Sequence, residues 1–192
     1  MKKTDYCVPS NKEDSTLQRR RIAVDFDDTP VMSNRAVVEW HNEIYGTSDV
    51  VGVGSYDLAV LWKVPRQEVE RRFMEYVNST AHDKAEAMPG AVDALRLLAE
   101  HFDIALVTGR IADTELRTRN YLNAVFSGVF DETLFTGHFD LDPNKRKTKG
   151  EVAKERRYYA FIEDWPEHAE TILMHAPDTR VILINTIWNQ GF

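Results

Sequence analysis

A chain of 192 residues with 43% hydrophobic content supports one well-packed core with room for a small insertion, and excludes two large domains. Its formal charge of −7 argues against coating a nucleic-acid polymer, because that affinity comes from Lys and Arg neutralising phosphates; a small anionic substrate stays compatible where the local site is positive. The single cysteine, Cys7, excludes an internal disulfide and a cysteine metal cluster, which suits a reducing, cytoplasmic setting, and no apolar run approaches the roughly 20 residues that span a bilayer.

Residues 1–20 form a polar N-terminal segment without the apolar stretch of a secretory signal. The first strand is expected at "RIAVDF", where a β-branched apolar run ends in the cluster Asp25, Asp27 and Asp28. Residues 31–88 are helix-like and carry no convincing buried strand. Within them, "MSNRAVVEWHNEIYG" has a helical rhythm that stops at Gly46, and "PRQEVERRFMEYVNS" sets Val69, Phe73, Tyr76 and Val77 on one face. Four more strands are expected at "FDIALVT", "ETLFTG", "YYAFIED" and "RVILIN", separated by the helical patterns "PGAVDALRLLAEH", "ADTELRTRNYLNAVF", "KGEVAKERR" and "PEHAETILMHA". Strand and helix alternate, which predicts an α/β fold with a mainly parallel five-stranded sheet and helices on both faces. The boundaries follow: 21–30 and 89–192 form the α/β core, and 31–88 form a helical cap insertion.

Ligands of open α/β sheets bind beyond the carboxyl ends of the strands. Here those ends carry Asp25, Asp27 and Asp28, then Thr108 and Arg110, then Glu163 and Asp164. Two carboxylates at i and i+2 leaving one strand, with a third from another, make an all-oxygen site for a hard cation. Without a His or Cys partner, such a set favours Mg²⁺ over Zn²⁺. Mg²⁺ usually shares its coordination with a phosphate oxygen, so a small phosphorylated metabolite is the expected partner. Thr108, Arg110 and a lysine of "KRKTKGEVAK" supply the hydrogen-bonding and cationic groups that two approaching anions require. The aromatics Trp40, Tyr45, Trp62 and Phe73 read first as the core of the insertion and second as a stacking surface for a base. His168 and His175 share a helical face but show no acidic partner in sequence, and they read as structural.

These residues carry a resemblance. "DFDDT" resembles the first motif of the haloacid dehalogenase (HAD) superfamily, and "LVTGR" resembles its second. "KTKGEVAKERRYYAFIEDWPEHAE" resembles the third and fourth, and all of them stand in order from Arg21 onward. The resemblance implies a Rossmann-like three-layer α/β/α core and a phosphatase that works through an aspartyl-phosphate. By it, Asp25 is the nucleophile and Asp27 the general acid and base. Thr108 and Lys149 hold the phosphoryl group, with Lys147 the competing lysine and Arg110 an additional phosphate or substrate contact. Mg²⁺ is held by Asp25, Asp164 and the backbone carbonyl of Asp27, with Glu163 acting through water.

The insertion directly after the first motif matches the helical-cap branch, which favours small soluble phosphates. "EWHNEIYGT" and "VILINTIWN" look like the 5'(3')-deoxyribonucleotidase-like branch, which implies a nucleoside monophosphate. A sugar or other metabolite phosphatase is the alternative activity, and a non-catalytic phosphate-binding or regulatory protein the alternative of a different class. Homo-oligomerisation is left open. Two departures stand out: Pro30 follows Thr29 where the pattern has an aliphatic residue, and the acidic pair is Glu163–Asp164 rather than Asp-Asp or Gly-Asp.

Overall fold

The computed structural model describes residues 19–52, 57–138, 140 and 142–190; most of the polar segment expected at 1–20, with Cys7, lies outside them. In chain order the elements are β1 (Arg21–Val24), α1 (Ser33–Tyr45), α2 (Leu58–Trp62), α3 (Arg66–Val77), α4 (Ala91–Ala99), β2 (Asp103–Thr108), α5 (Glu115–Val125), β3 (Glu132–Phe135), α6 (Lys149–Arg156), β4 (Ala160–Glu163), α7 (Pro166–His175) and β5 (Arg180–Leu183). The five strands form one sheet in the order β3-β2-β1-β4-β5, and every pairing is parallel. The strands are shorter than the apolar runs that announced them. "YYAFIED" yields only four strand residues, Ala160–Glu163, with Tyr159 N bonding Arg21 O of β1 at 2.7 Å just ahead of them.

Side-chain alternation along the central strands divides the core into two layers. Ile22 and Val24 of β1, with Ile104 and Leu106 of β2, pack under α4 and α5 together with Leu95, Tyr121, Leu122 and Phe126. Ala23, Ala105, Val107 and Phe161 face the other way, onto α6 and α7, meeting Val152, Ala153, Ile172 and Ala176. Because β1 and β2 are covered on both faces, their sequences read as nearly unbroken apolar runs.

Residues 33–85 leave this core and return through two chain segments tied together. Met32 N bonds Glu86 O at 2.9 Å, Met88 N bonds Pro30 O at 2.8 Å, and Val31 bridges Ala87 in antiparallel fashion. Pro30 therefore lies in the turn that leads out of the core, ahead of α1. Helix α1 ends where expected, on Gly46 in the left-handed conformation at φ 65°. Helices α1, α2 and α3 bury their own cluster of Val37, Val38, Trp40, Trp62, Val69, Tyr76 and Val77. At its centre the His41 ring is sandwiched between Trp62, 4.1 Å away, and Tyr45, 4.6 Å away. Trp40, Trp62 and Tyr45 are thus absorbed into packing. Among the described residues, no helix is long and apolar enough to cross a membrane.

Candidate active site

The chain runs from β1 through β2 and β3 on one side of the sheet, then crosses to β4 and β5 on the other. β1 and β4 are therefore the neighbours at which the strand order reverses, and a ligand crevice is expected beyond their carboxyl ends. A cleft of about 710 Å³ opens there, lined from the core by Asp25, Asp27, Lys149, Asp164 and His168 and from the helical segment by Leu58, Arg66, Val69 and Phe73.

Asp25 directly follows β1 and is held in line with the sheet by Asp25 N bonding to Ile162 O at 2.9 Å. Across the crevice, Glu163 closes β4 and Asp164 follows it. Oxygens of Asp25, Glu163 and Asp164 come within 4.8 Å of one another, and all three residues are buried. Lys149 Nζ is inserted between two of them, 2.6 Å from Asp25 Oδ1 and 2.7 Å from Glu163 Oε2.

The local sequence explains how a lysine is delivered there. Thr148 and Glu151 close a capping box, with Glu151 N bonding Thr148 Oγ1 at 3.0 Å and Thr148 N bonding Glu151 Oε2 at 2.7 Å, which starts α6 at Lys149. Gly150 then lets the start of α6 press against α7: a Cβ there would lie 2.1 Å from Thr171 O. Lys147, two residues earlier, lies on the surface and pairs with Glu155 at 3.0 Å. The geometry thus separates the two competing lysines, burying Lys149 and exposing Lys147.

Electrostatics at this cluster pull its carboxyls in opposite directions. Burial, reinforced by the charge of Glu163, lifts the Asp25 carboxyl well above the usual range even though Lys149 opposes it. Burial and Glu163 also push Asp164 up to about 6. Burial would raise Glu163 too, but Lys149 outweighs it and holds this carboxyl below its usual range. For Lys149 the neighbouring carboxylates overcome burial and raise its pKa. Three buried carboxylates around one ammonium leave a negative excess. That excess and the all-oxygen donor set fit a hard divalent cation.

Asp164 is further fixed from three directions. Thr29 Oγ1 donates to Asp164 Oδ1 at 3.2 Å, Trp188 Nε1 donates to Asp164 Oδ2 at 2.8 Å, and Asn189 Nδ2 holds its backbone carbonyl at 2.9 Å. Trp188 and Asn189 are positioning residues that sequence reasoning missed; "NTIWN" was read only as part of a C-terminal likeness. His168, for which the sequence shows no acidic partner, has one in the fold. The tight turn from β4 into α7 folds it over Glu163, placing His168 Nδ1 3.3 Å from Glu163 Oε1, and its ring packs edge-on against His138 of the loop after β3.

The other expected residues gather beside β1. Thr108 ends β2 fully buried, with its Oγ1 accepting from Arg110 N at 3.2 Å. Arg110 directs its fork at Asp27: Nη2 lies 2.7 Å from Asp27 Oδ1 and Nε lies 3.0 Å from Oδ2. Its remaining nitrogen, Nη1, meets His82 Nε2 at 2.6 Å and Thr118 Oγ1 at 3.1 Å. Burial alone would raise Asp27, but the charge and hydrogen bonds of Arg110 prevail and hold it below the usual range. Asp28 adopts φ 57°, and its Oδ1 accepts from Asn34 N at 3.0 Å, so it shapes the turn into α1.

No protein-family model and no curated protein sequence matches the chain. Solved structures do. A hydrolase from Streptococcus pneumoniae TIGR4 matches at TM-score 0.58 and 13% identity, over 91% of this chain and 97% of that one. A HAD family hydrolase from Deinococcus radiodurans R1, with bound phosphate and sodium, matches at TM-score 0.56 and 12% identity, over 85% and 79% of the two chains. A HAD-superfamily hydrolase of subfamily IA, variant 1, from Geobacter sulfurreducens PCA matches at TM-score 0.55 and 14% identity, over 86% of each. The parallel five-stranded sheet with helices on both faces, expected from the alternation of elements, is a fold this chain shares with these hydrolases, two of them described as HAD hydrolases.

Proposed function

We propose that this protein is a Mg²⁺-dependent phosphomonoester hydrolase acting through an aspartyl-phosphate, in the cytoplasm, on a small soluble substrate. The observation that carries the reading is the buried contact of Lys149 Nζ with Asp25 Oδ1, at the floor of a cleft and beside two further carboxylates. A lone buried carboxylate would be costly, whereas one paired with a lysine and open to a cleft is placed for nucleophilic attack.

In this reading an Asp25 oxygen forms a bond to phosphorus as the bond to the leaving oxygen breaks. Asp27, which lines the same cleft and is ionised in the free site, takes up a proton as the anionic substrate binds beside it and gives that proton to the leaving oxygen. A water then attacks the phosphoryl group, Asp27 takes the water proton, and the bond to Asp25 breaks to release inorganic phosphate. Lys149 opposes the burial and acidic neighbours that resist ionisation of Asp25 and offsets charge on the phosphoryl oxygens, and the Thr108 hydroxyl is the proposed hydrogen-bond donor to them. Asp25, Asp164 and the backbone carbonyl of Asp27 would hold the Mg²⁺, with Glu163 behind them. The ion supplies charge neutralisation at the phosphoryl group when bound.

Residues 31–88 act here as a helical cap over the cleft, with 21–30 and 89–192 as the catalytic core. Leu58, Val69 and Phe73 give the cleft an apolar wall, which supports a nucleoside monophosphate ahead of a sugar phosphate. The test is a panel of nucleoside 5'- and 3'-monophosphates and sugar phosphates, assayed with Mg²⁺ and with EDTA. Hydrolysis of nucleotides that disappears with EDTA and in Asp25→Asn is expected. Preference for sugar phosphates would reassign the substrate class. Binding of phosphate without turnover of any monoester would make the protein a non-catalytic relative.

A further inference from the structure

Arg110 stands where an additional phosphate contact was expected, yet each of its three guanidinium nitrogens is engaged elsewhere. Five hydrogen bonds engage Nε, Nη1 and Nη2: three with Asp27, one with His82 and one with Thr118. The guanidinium is 3% exposed, its carbon sits 4.3 Å above the Phe26 ring, and it is not among the residues lining the cleft. Asp27, in contrast, does line the cleft and keeps 31% of its side chain exposed. A planar fork that grips one edge of a carboxylate from behind fixes both its position and its rotation, which a point-charged lysine does not do.

The partner on the far side of Arg110 is itself held. His82 is 1% exposed and lies edge-on to Tyr76 at 5.7 Å and to Tyr121 at 6.3 Å. Its Nε2 must accept, because Arg110 Nη1 can only donate; its Nδ1 faces Asp83 Oδ1 at 3.5 Å. Burial and the neighbouring Arg110 lower His82 to about 4, in keeping with a neutral acceptor. The segment bearing it, which leads from α3 back to the core, is clamped by α5: Arg117 donates to Asn78 O and to Asp83 Oδ2, each at 2.8 Å. An unbroken chain of contacts thus runs from the return segment of residues 33–85 to the carboxylate proposed as acid and base.

We propose that Arg110, oriented by His82 and Thr118, is a positioning residue that aims the Asp27 carboxylate at the leaving-group oxygen, and that it is not a phosphate contact. The inference rests on the hydrolase reading above. Its signature is selective: an alkyl alkoxide needs a proton to depart, whereas 4-nitrophenolate leaves without one. Because kcat/KM covers only the steps through leaving-group release, it isolates Asp27 as acid.

The test compares kcat/KM for an alkyl monophosphate and for 4-nitrophenyl phosphate in the full chain with Mg²⁺. In Arg110→Lys the alkyl substrate should lose on the order of 100-fold and the aryl substrate less than about fivefold, with competitive inhibition by inorganic phosphate unchanged. His82→Leu should show the same selectivity at about tenfold, and His82→Gln, which restores an acceptor, should recover most of it. Equal losses on both substrates, or weakened phosphate inhibition in Arg110→Lys, would overturn the proposal in favour of a phosphate contact. A wild-type protein without Asp25-dependent turnover would sink the hydrolase reading by itself. In that case the crystal structure of Arg110→Met still decides whether Arg110 positions Asp27: a carboxylate that keeps its place and rotation contradicts the inference.

Discussion

Two ionic clusters flank the end of β1, and they differ in whether their charges balance. On the β4 side, Lys149 faces Asp25, Glu163 and Asp164, so carboxylates outnumber cations and two of the three carboxyls are pushed upward. On the β2 side, Arg110 faces Asp27 alone, supported by neutral hydrogen-bonding partners, and Asp27 is held low. A balanced cluster is complete as folded and serves to place its members. An unbalanced one is poised for a ligand that carries positive charge, and such groups are where strained ionisation marks function.

Asp25→Asn probes the imbalance most sharply, because catalysis and stability should move in opposite directions. Turnover should fall by at least about 10³-fold with loss of the nucleophile. The metal-free protein should nonetheless melt a few degrees higher, since a carboxyl that resists ionisation in the fold has been replaced by a neutral amide. A lower melting temperature would show that Lys149 already compensates Asp25 and that the cluster is not overcharged.

Lys149→Met removes the cation from the same cluster. Two buried carboxylates then lose their shared partner, at 2.6 and 2.7 Å. Breaking a buried pair from one side costs about 3–5 kcal/mol, readable as an earlier urea midpoint, and activity should drop by on the order of 10³-fold. Added Mg²⁺ should return part of the stability. A variant as stable as the parent in EDTA would mean that water reaches the site freely.

Asp164 contributes a separable part of the pH dependence of stability. Folding raises its carboxyl from 3.8 to about 6. Between those values the folded state binds more protons than the unfolded one, so this group destabilises the fold progressively as pH rises through that window. The loss is complete above about pH 6 and amounts to about 2–3 kcal/mol without metal. Urea unfolding in EDTA between pH 4 and 7 should therefore show a shallower decline in Asp164→Asn than in the parent. Glu163 and Asp27, both lowered, work in the opposite sense and Asp25 and Asp28, both raised, in the same sense, and all four are common to both proteins. Identical profiles would contradict the crowding of Asp164.

Sequence order carried the strands, the lysine-bearing helix and the acidic pair, because each depends on residues close together in the chain: an apolar run, a Thr148–Glu151 cap, a strand ending in acids. What it did not carry were contacts made only by the closed sheet. Arg110 and Asp27 are 83 positions apart, and Arg110 and His82 are 28 apart, so nothing local announces the clamp. Trp188 reaches Asp164 over 24 positions, around the edge of the sheet. His168 was a nearer miss. Five positions separate it from Glu163, but the spacing has meaning only once the turn at Trp165 and Pro166 is formed.

Asp28 supplies the smallest expected effect and a control on the whole comparison. It directly follows Asp27 in sequence, yet it belongs to neither cluster: its backbone occupies the left-handed region at φ 57° and its Oδ1 serves Asn34 N. Burial lifts its carboxyl well above the usual range, so the site favours a neutral side chain. Asparagine tolerates that conformation and offers the same carbonyl oxygen as acceptor. Asp28→Asn should keep its fold and its kcat/KM to within about threefold, while Asp27→Asn should lose activity on alkyl phosphates by on the order of 100-fold or more. A natively folded but inactive Asp28→Asn would place a third carboxylate of "DFDDT" in the chemistry and erase the division between charge-balanced positioning and unbalanced catalysis.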